Sequence, residues 1–596
     1  MKNIIVPFMA GLALVSSAKA AEATKSLESL LPAETVLVMA TPDYATAKKH
    51  FKASASGQFW DSAEFKPFRK KLADGFEANV LDKIEAELAV DFEAFEEMAS
   101  GPVALAVVPG LAAGEEPALL LLIDAGRKSF ALRRTLSQMK RDWKKADRNV
   151  SETEIGGIDF TTVSDPGGQR QVHIGRVDAK LIVGTATGQI EGVLARLGGG
   201  GGGTLAANPA FAADHSALLK GADFYTWANF GKVIPQLLDN APDGAELGID
   251  FGEVFGSLGL DGLSTFAATY SERPDGAYAE LFIGLPEAKR RGLFGLLETR
   301  RADASPPPFV PANVAAFSRW RVDMGAAWKN LEKLLLELSP DMANMFEFTV
   351  GLLGKDKDPD FDFKKSFLNN FGDDLILFQM PPNGKSLNEL GAGAMAALFK
   401  SPSPAELIKG IGAVPGILPP PLNEAELEPR KLGKHTAQSF GVMELPDPST
   451  GELVASEILF AVKDDYMAVS TDADLLQGLL DGKPQSPLAK LDRLAPAAAA
   501  VGGMDSGFFG YQNDRVMVLS MMDTLRANAD QFEMIFSMIP MEGLDEVSLN
   551  DWLDFSLLPA GEKIAKYFDV TVYGAETVER GISLKIFSPR PPTLKR

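Results

Sequence analysis

The chain has 596 residues, 80 acidic against 59 basic side chains, a formal charge of −21 and no cysteine. The missing cysteine excludes disulfides, thiolate zinc sites, iron–sulfur clusters and cysteine nucleophiles. The acidic balance disfavours nucleic acid as the main partner, because it repels a phosphate backbone.

The first element is an N-terminal export signal. Lys2 provides a positive start, Ile4 to Val15 an apolar stretch, and Ala18-Lys19-Ala20 a small-x-small cleavage site. Residues 1–20 are therefore expected to be removed, leaving Ala21 as the first residue. Losing Lys2 and Lys19 takes the formal charge from −21 to −23. No later stretch approaches the length of a membrane-spanning apolar segment, so no transmembrane helix is expected in the mature chain.

From residue 34 the pattern is strand then helix ("ETVLVMATPDYATAKKHF"), and "VDFEAFEEMASGPVALAVVPG" (90–110) reads as a short helix, a glycine and a strand. "PALLLLIDAG" is a strand leading into a helix that carries Leu132, Leu136 and Trp143 on one side. Lys140, Arg141, Lys144, Lys145 and Arg148 form its solvated face. Strands follow at "IDFTTV", 170–176 and 180–184, then a helix within "LIVGTATGQIEGVL" (181–194). Six glycines, Gly198 to Gly203, come next; they follow a helix rather than a strand and so read as a linker, not a dinucleotide loop. "ADFYTWANFGKVIPQLL" is again strand then helix, and 250–286 contains a hairpin.

After the proline-rich 302–313 the series repeats. "ANVAAFSRWRVDMGAAWKNL", "FDFKKSFLNNFGDDLILFQMP", "GAGAMAALFK", "SFGVME" and "MAVSTDADLLQGLL" match the earlier elements in order, and Phe160 aligns with Phe440. Val183, Thr185, Gly192 and Leu194 match Val469, Thr471, Gly478 and Leu480 at a constant offset of 286. A final hairpin is expected at 569–587. The fold class is α+β, internally duplicated, with largely antiparallel sheets and helices packed on them. Strands such as 170–176 and 180–184 leave no room for parallel crossovers. The expected divisions are 21–200 (first long unit), 204–300 (first short unit), 301–313 (proline-rich linker), 314–482 (second long unit) and 483–596 (second short unit).

Chemistry-bearing motifs are few. Gly384-Lys385-Ser386 lacks the glycine of a phosphate loop, since Gln379 stands there, and Pro381 and Pro382 remove N–H donors; it reads as a hairpin turn. Asp505-Ser506-Gly507 resembles an aspartic-protease motif, but that chemistry needs two carboxylates and no second copy occurs. Asp356, Asp358, Asp360 and Asp362 alternate as in a calcium loop, yet Phe361 and Phe367 occupy the required Gly and Glu positions. The Asp356–Asp362 stretch reads first as an acidic linker, with an irregular calcium site as the other possibility. His50, His173, His215 and His435 lie in four separate elements, so no zinc hydrolase ligand set is visible. No catalytic, metal or cofactor residues are assigned.

Residues 515–541 hold six of the 19 methionines. Met517, Met521, Met522, Phe532, Phe536 and Met538 are the candidate apolar-ligand surface, against the simpler reading of a helix buried between two neighbours. The opening "LLPAETVLVMATPDYATAKKHF" and the "LIVGTATGQIEGVL" unit resemble a group of uncharacterised secreted bacterial α+β repeat proteins. That resemblance carries over no activity and no site residues; the leading expectation is an exported, non-catalytic envelope protein that binds or scaffolds, located in the periplasm or outside the cell. The expected partner is a protein or an apolar ligand of the envelope. The alternatives are a carrier for such a ligand and a hydrolase with carboxylates that sequence does not single out.

Overall fold

The computed structural model describes residues 26–76, 98–110, 116–145, 148–164, 171–239, 251–296, 301–355, 357–382, 393–417, 425–446, 453–482, 484, 486–537 and 553–594. The expected signal segment 1–20 lies outside them. In the first half the strands are β1 (Leu37–Thr41), β2 (Val103–Val108), β3 (Ala118–Asp124), β4 (Asn149–Ile155), β5 (Ile158–Ser164), β6 (Gln171–Val177), β7 (Lys180–Gly184), β8 (Phe224–Ala228), β9 (Thr265–Arg273) and β10 (Gly276–Gly284). Helices α1 (Tyr44–Ala53), α2 (Ala55–Trp60) and α3 (Lys66–Phe76) follow β1, and α4 (Ser129–Lys145) follows β3. Then come α5 (Thr187–Leu197), α6 (Pro209–Asp214), α7 (Phe230–Asp239) and α8 (Phe251–Leu258).

The second half supplies β11 (Ala316–Trp320), α9 (Met324–Leu338), α10 (Pro340–Leu352), β12 (Leu375–Gln379), β13 (Met395–Lys400) and α11 (Pro404–Ile411). After them run β14 (Glu428–Leu432), β15 (His435–Pro446), β16 (Leu453–Lys463), β17 (Tyr466–Ser470), α12 (Ala473–Asp481) and α13 (Leu494–Ala500). β18 (Phe508–Gln512), α14 (Asp514–Ala527), α15 (Ala529–Ser537), β19 (Thr571–Val578) and β20 (Gly581–Pro589) close the chain.

All twenty strands join one antiparallel sheet, so the fold is α+β. From one edge the first half runs β4-β5-β6-β7-β3-β2-β1-β8-β9-β10. From the other edge the second half runs β14-β15-β16-β17-β13-β12-β11-β18-β19-β20. The order is the same in each half, and β10 pairs with β20 to make the sheet continuous.

The internal duplication extends to single residues. Among the described residues Asp178 (φ 52°) and Asp464 (φ 53°) are the two non-glycine residues with left-handed backbone, at the same offset of 286. Each turns a tight hairpin, β6–β7 or β16–β17, where the strand twist calls for that conformation and aspartate tolerates it. Asp43 and Asp323 cap α1 and α9 in the same way, accepting from the Thr46 and Ala326 N–H groups at 2.9 Å.

Strand alternation sorts side chains to two faces. On β3, Leu120 and Leu122 enter a core beneath α5 and α6, while Leu121 and Ile123 pack on the other face with Leu132 and Met139 of α4. The second half repeats this: Ala396 and Leu398 of β13 meet α12 and α13, and Phe399 faces Leu407 and Ile408 of α11. The proline-rich segment belongs to this scheme. Pro311 bridges Pro487 as Pro32 bridges Thr204, and Ala304 and Val310 are fully buried. Its prolines sit where no ladder hydrogen bond is needed, so a composition typical of a linker serves as a packed opening strap of the second copy.

Candidate functional site

The seam where the halves meet brings together polar and apolar groups distant in sequence. Nine residue pairs, from Gly276↔Pro589 to Gly284↔Gly581, form its axis. Just beyond the two ends the Leu285 N–H donates to the Arg580 carbonyl at 2.9 Å and the Arg590 N–H to the Asp275 carbonyl at 2.8 Å. Gly581 is required by this close approach, since a Cβ there would sit 2.1 Å from the Ile283 carbonyl oxygen.

At the Gly284 end lies a cleft of about 630 Å³, lined among others by Asp214, Thr265, Phe282, Glu287, Glu579 and Arg580. Asp214 is buried at 2% exposure. Its Oδ2 accepts from Trp227 Nε1 at 3.0 Å and its Oδ1 from Arg580 Nη1 at 2.9 Å. Arg580 also stacks 5.2 Å over Phe282. The cleft therefore carries its cation from one half and its buried carboxylate from the other, already paired.

At the Gly276 end His50 Nδ1 lies 2.9 Å from Asp223 Oδ1, and Asp223 Oδ2 accepts the Glu272 N–H at 2.8 Å. Glu272 takes a hydrogen bond from the Tyr270 hydroxyl. Burial raises its pKa above the ordinary 4.5, against the opposing pull of Tyr270, Ser54 and Arg590. Ser54 bonds Glu272 and accepts from the Gly57 N–H at 2.9 Å, capping α2. An imidazole, two carboxylates and two hydroxyls are thus gathered, but the hydroxyls of Tyr270 and Ser54 serve Glu272, and Ser54 the helix cap as well, rather than the imidazole. The set is not a nucleophile–base pair.

A third cluster crosses the seam on its helical face. Phe59, Trp60, Phe65 and Phe68 of the first half meet Met522, Phe555, Ile564 and Phe568 of the second. Phe59 lies 5.2 Å from Phe568 edge-on, and Phe68 stacks at 6.1 Å on Phe555. This is where the methionine-rich segment sits. Met522 is buried, Met517 half-buried and Met521 40% exposed. Phe532 packs 5.1 Å from Phe555. Phe536 lies on α15, but its side chain, like all of Met538, is outside the described residues.

The other motifs fall apart in space. Gly384-Lys385-Ser386 lies outside the described residues, between the paired strands β12 and β13. Asp505-Ser506-Gly507 forms a turn before β18, with Gly507 at φ 93° and the Ser506 hydroxyl donating to the Phe508 carbonyl at 3.1 Å. Asp356 is outside the described residues. Asp358 accepts from the Asp360 N–H and Asp362 caps a helix turn at Lys365. Among the described residues no three His, Asp or Glu side chains converge as metal ligands, and no helix is long and apolar enough to cross a membrane. His173 is buried against Thr162 Oγ1 at 2.8 Å, and burial lowers its pKa. His215 stacks on Phe211, and His435 reaches Asp481 at 3.0 Å. The His50–Asp223–Glu272 grouping, joined across 173 residues, had no local sequence signal.

No protein-family model matches the chain, and no curated protein matches it in sequence. Among solved structures it is similar to crystal forms I and III of TP0453, each at 11% identity and TM-score 0.23, over 44% of this chain and 80% of that one. Crystal form IV of TP0453 gives 12% identity and TM-score 0.22, over 44% and 81%.

Proposed function

We propose that the protein is an exported, non-catalytic component of the cell envelope that acts by binding or scaffolding. The observation that supports this reading is the commitment of the seam's carboxylates to internal partners. Asp214 is held by Trp227 and Arg580, and Glu272 by Tyr270 and Ser54. The Asp214–Arg580 bond ties the two halves together and the others brace the first half, so groups committed in this way serve the structure rather than turning over a substrate. Export rests on the n-, h- and cleavage pattern of residues 1–20.

The test pairs location with function. Cell fractionation with intact-mass measurement should find an envelope protein starting at Ala21. A His50→Ala/Glu272→Gln variant should complement a deletion strain as wild type does. A folded, exported variant that fails to complement would overturn the non-catalytic reading. The exposure of Met521 (40%) and Met534 (60%) favours a second reading, an apolar-ligand carrier. Lipid retained in native mass spectrometry and lost on Met521→Ala/Met534→Ala would move the assignment there.

A further inference from the structure

Helix α4 is anomalous within this chain. Residues 127–148 contain nine lysines and arginines against two aspartates, in a protein whose formal charge is −21. The inner face of α4 is fixed by the core: Leu132 and Met139 are buried and Leu136 and Trp143 partly so. The helical repeat of 3.6 residues per turn places Phe130, Arg133, Arg134, Arg141, Lys144 and Lys145 together on the opposite face. All six are exposed, and Phe130, 79% exposed, stands in the first turn of α4 with Arg127 before it and Arg133 and Arg134 one turn on.

The duplication provides an internal control. The equivalent helix α11, also placed between the third strand and the fourth of its half, carries one Glu406 and one Lys409, paired with each other. The fold therefore does not demand a cationic face here. Nor is that face neutralised by neighbours. Asp142 pairs with Lys145 at 3.4 Å and Glu152 of β4 with Lys140. Among the described residues no carboxylate pairs with Arg133, Arg134 or Lys144. Screening over about 8 Å at physiological salt lets such a patch act independently of the distant negative charge.

We propose that the outer face of α4 docks on an anionic lipid surface, with Phe130 entering the headgroup layer and the neighbouring arginines and lysines meeting lipid phosphates. A soluble polyanion would need the cations alone. An exposed aromatic ring on the same face, in the first turn beside Arg133 and Arg134, is accounted for by a partner with an apolar interior beneath its charged surface. The proposal deepens the binding reading above and rests on it, but its test is made in vitro and does not depend on cellular location.

The purified full chain is sedimented with vesicles of phosphatidylethanolamine doped with phosphatidylglycerol, and with phosphatidylcholine vesicles. Binding should be confined to the anionic vesicles and fall with added salt. Arg133→Gln/Arg134→Gln/Arg141→Gln should weaken it on the order of a hundredfold, at roughly fivefold per cation removed. Phe130→Ser should weaken vesicle binding while leaving any binding to soluble heparin unchanged. Phe130→Trp in the otherwise native chain gives an independent reading, a blue-shifted emission on anionic vesicles. No binding by folded wild-type protein overturns the proposal. So does vesicle binding indifferent to Phe130→Ser and matched by heparin, which would assign the face to a soluble polyanion. A cytoplasmic location with intact Met1 would instead remove the envelope reading and leave the vesicle result standing.

Discussion

At Asp374 four donors converge on one carboxylate. Arg319 donates from Nε at 3.0 Å and Nη2 at 2.7 Å, Arg321 Nη1 at 3.1 Å, and the Tyr466 hydroxyl at 2.7 Å. The carboxylate is 1% exposed and the two guanidiniums are little more accessible. Removing it leaves the buried Arg319 with only the Ser305 carbonyl at 2.8 Å and the exposed Asp303 at 3.5 Å, so Asp374→Ala should cost about 3–5 kcal/mol. Asp373→Ala next to it, 42% exposed and paired with Arg321 and Lys400, should cost at most about 1 kcal/mol. Urea denaturation of the two variants checks the contrast; equal losses would mean that Asp374 is not the centre of the network. Part of this was readable in advance. Phe317 and Arg319 share a strand face by two-residue alternation, so an arginine beside a core phenylalanine signals a buried partner. Which of 80 acidic residues answers it was not readable, because the pairing spans 55 positions.

Among elements, the strands were the most readable, since alternation and tight turns are local properties; β5, β6 and β7 and the hairpin β9–β10 stand where alternation places them. The basic face of α4 was readable for the same reason. Helix α14 was not. Its apolar residues surround the axis, so no stripe identifies the buried side, and the partner surface comes from α2 and α3 of the other half. The structure separates adjacent methionines: Met522 is 9% exposed and Met521 40%. Met522→Ala should therefore cost about 2–5 kcal/mol, as a cavity opens in the cluster it shares with Phe65 and Ile564. Met521→Ala should stay within about 1 kcal/mol. Thermal melts of the pair decide it, and a larger loss at Met521 would contradict the packing described.

For the molecule as a whole, acid should first help and then harm. Burial raises the pKa values of Glu272, Asp514 and Asp569. A raised carboxyl binds its proton more readily folded than unfolded. Its contribution to stability therefore grows as pH falls through the folded value and is complete below the ordinary 4.5 or 3.8. Asp303 and Asp373 behave oppositely. Burial alone would raise them, but Ser305 and Arg319 hold Asp303 below 3.8, and Arg321 and Lys400 hold Asp373 there. Their contributions are lost as pH falls through those lowered values. The urea midpoint should accordingly rise from neutrality into mild acid and fall in stronger acid. Relief of the −21 self-repulsion acts in the same direction as the rise. Glu272→Gln/Asp514→Asn should flatten that rise without abolishing the acid fall; a midpoint that drops steadily from neutrality would refute the assignment.

The central pair of the β10–β20 ladder is Glu280 opposite Lys585, and each is the fifth of nine residues in its strand. That position lies on the axis relating the two halves. In an ancestor made of two identical half-length chains, a residue there would have faced its own copy. Glutamate would have met glutamate, or lysine lysine, and like charges directly opposite repel. Once gene fusion let the copies diverge, the two could become complementary. Residues of opposite charge facing each other on a symmetry axis, here with Lys585 bonded to Glu576 and Glu280 to Ser583, are thus a feature that a homodimer cannot encode and a tandem gene can.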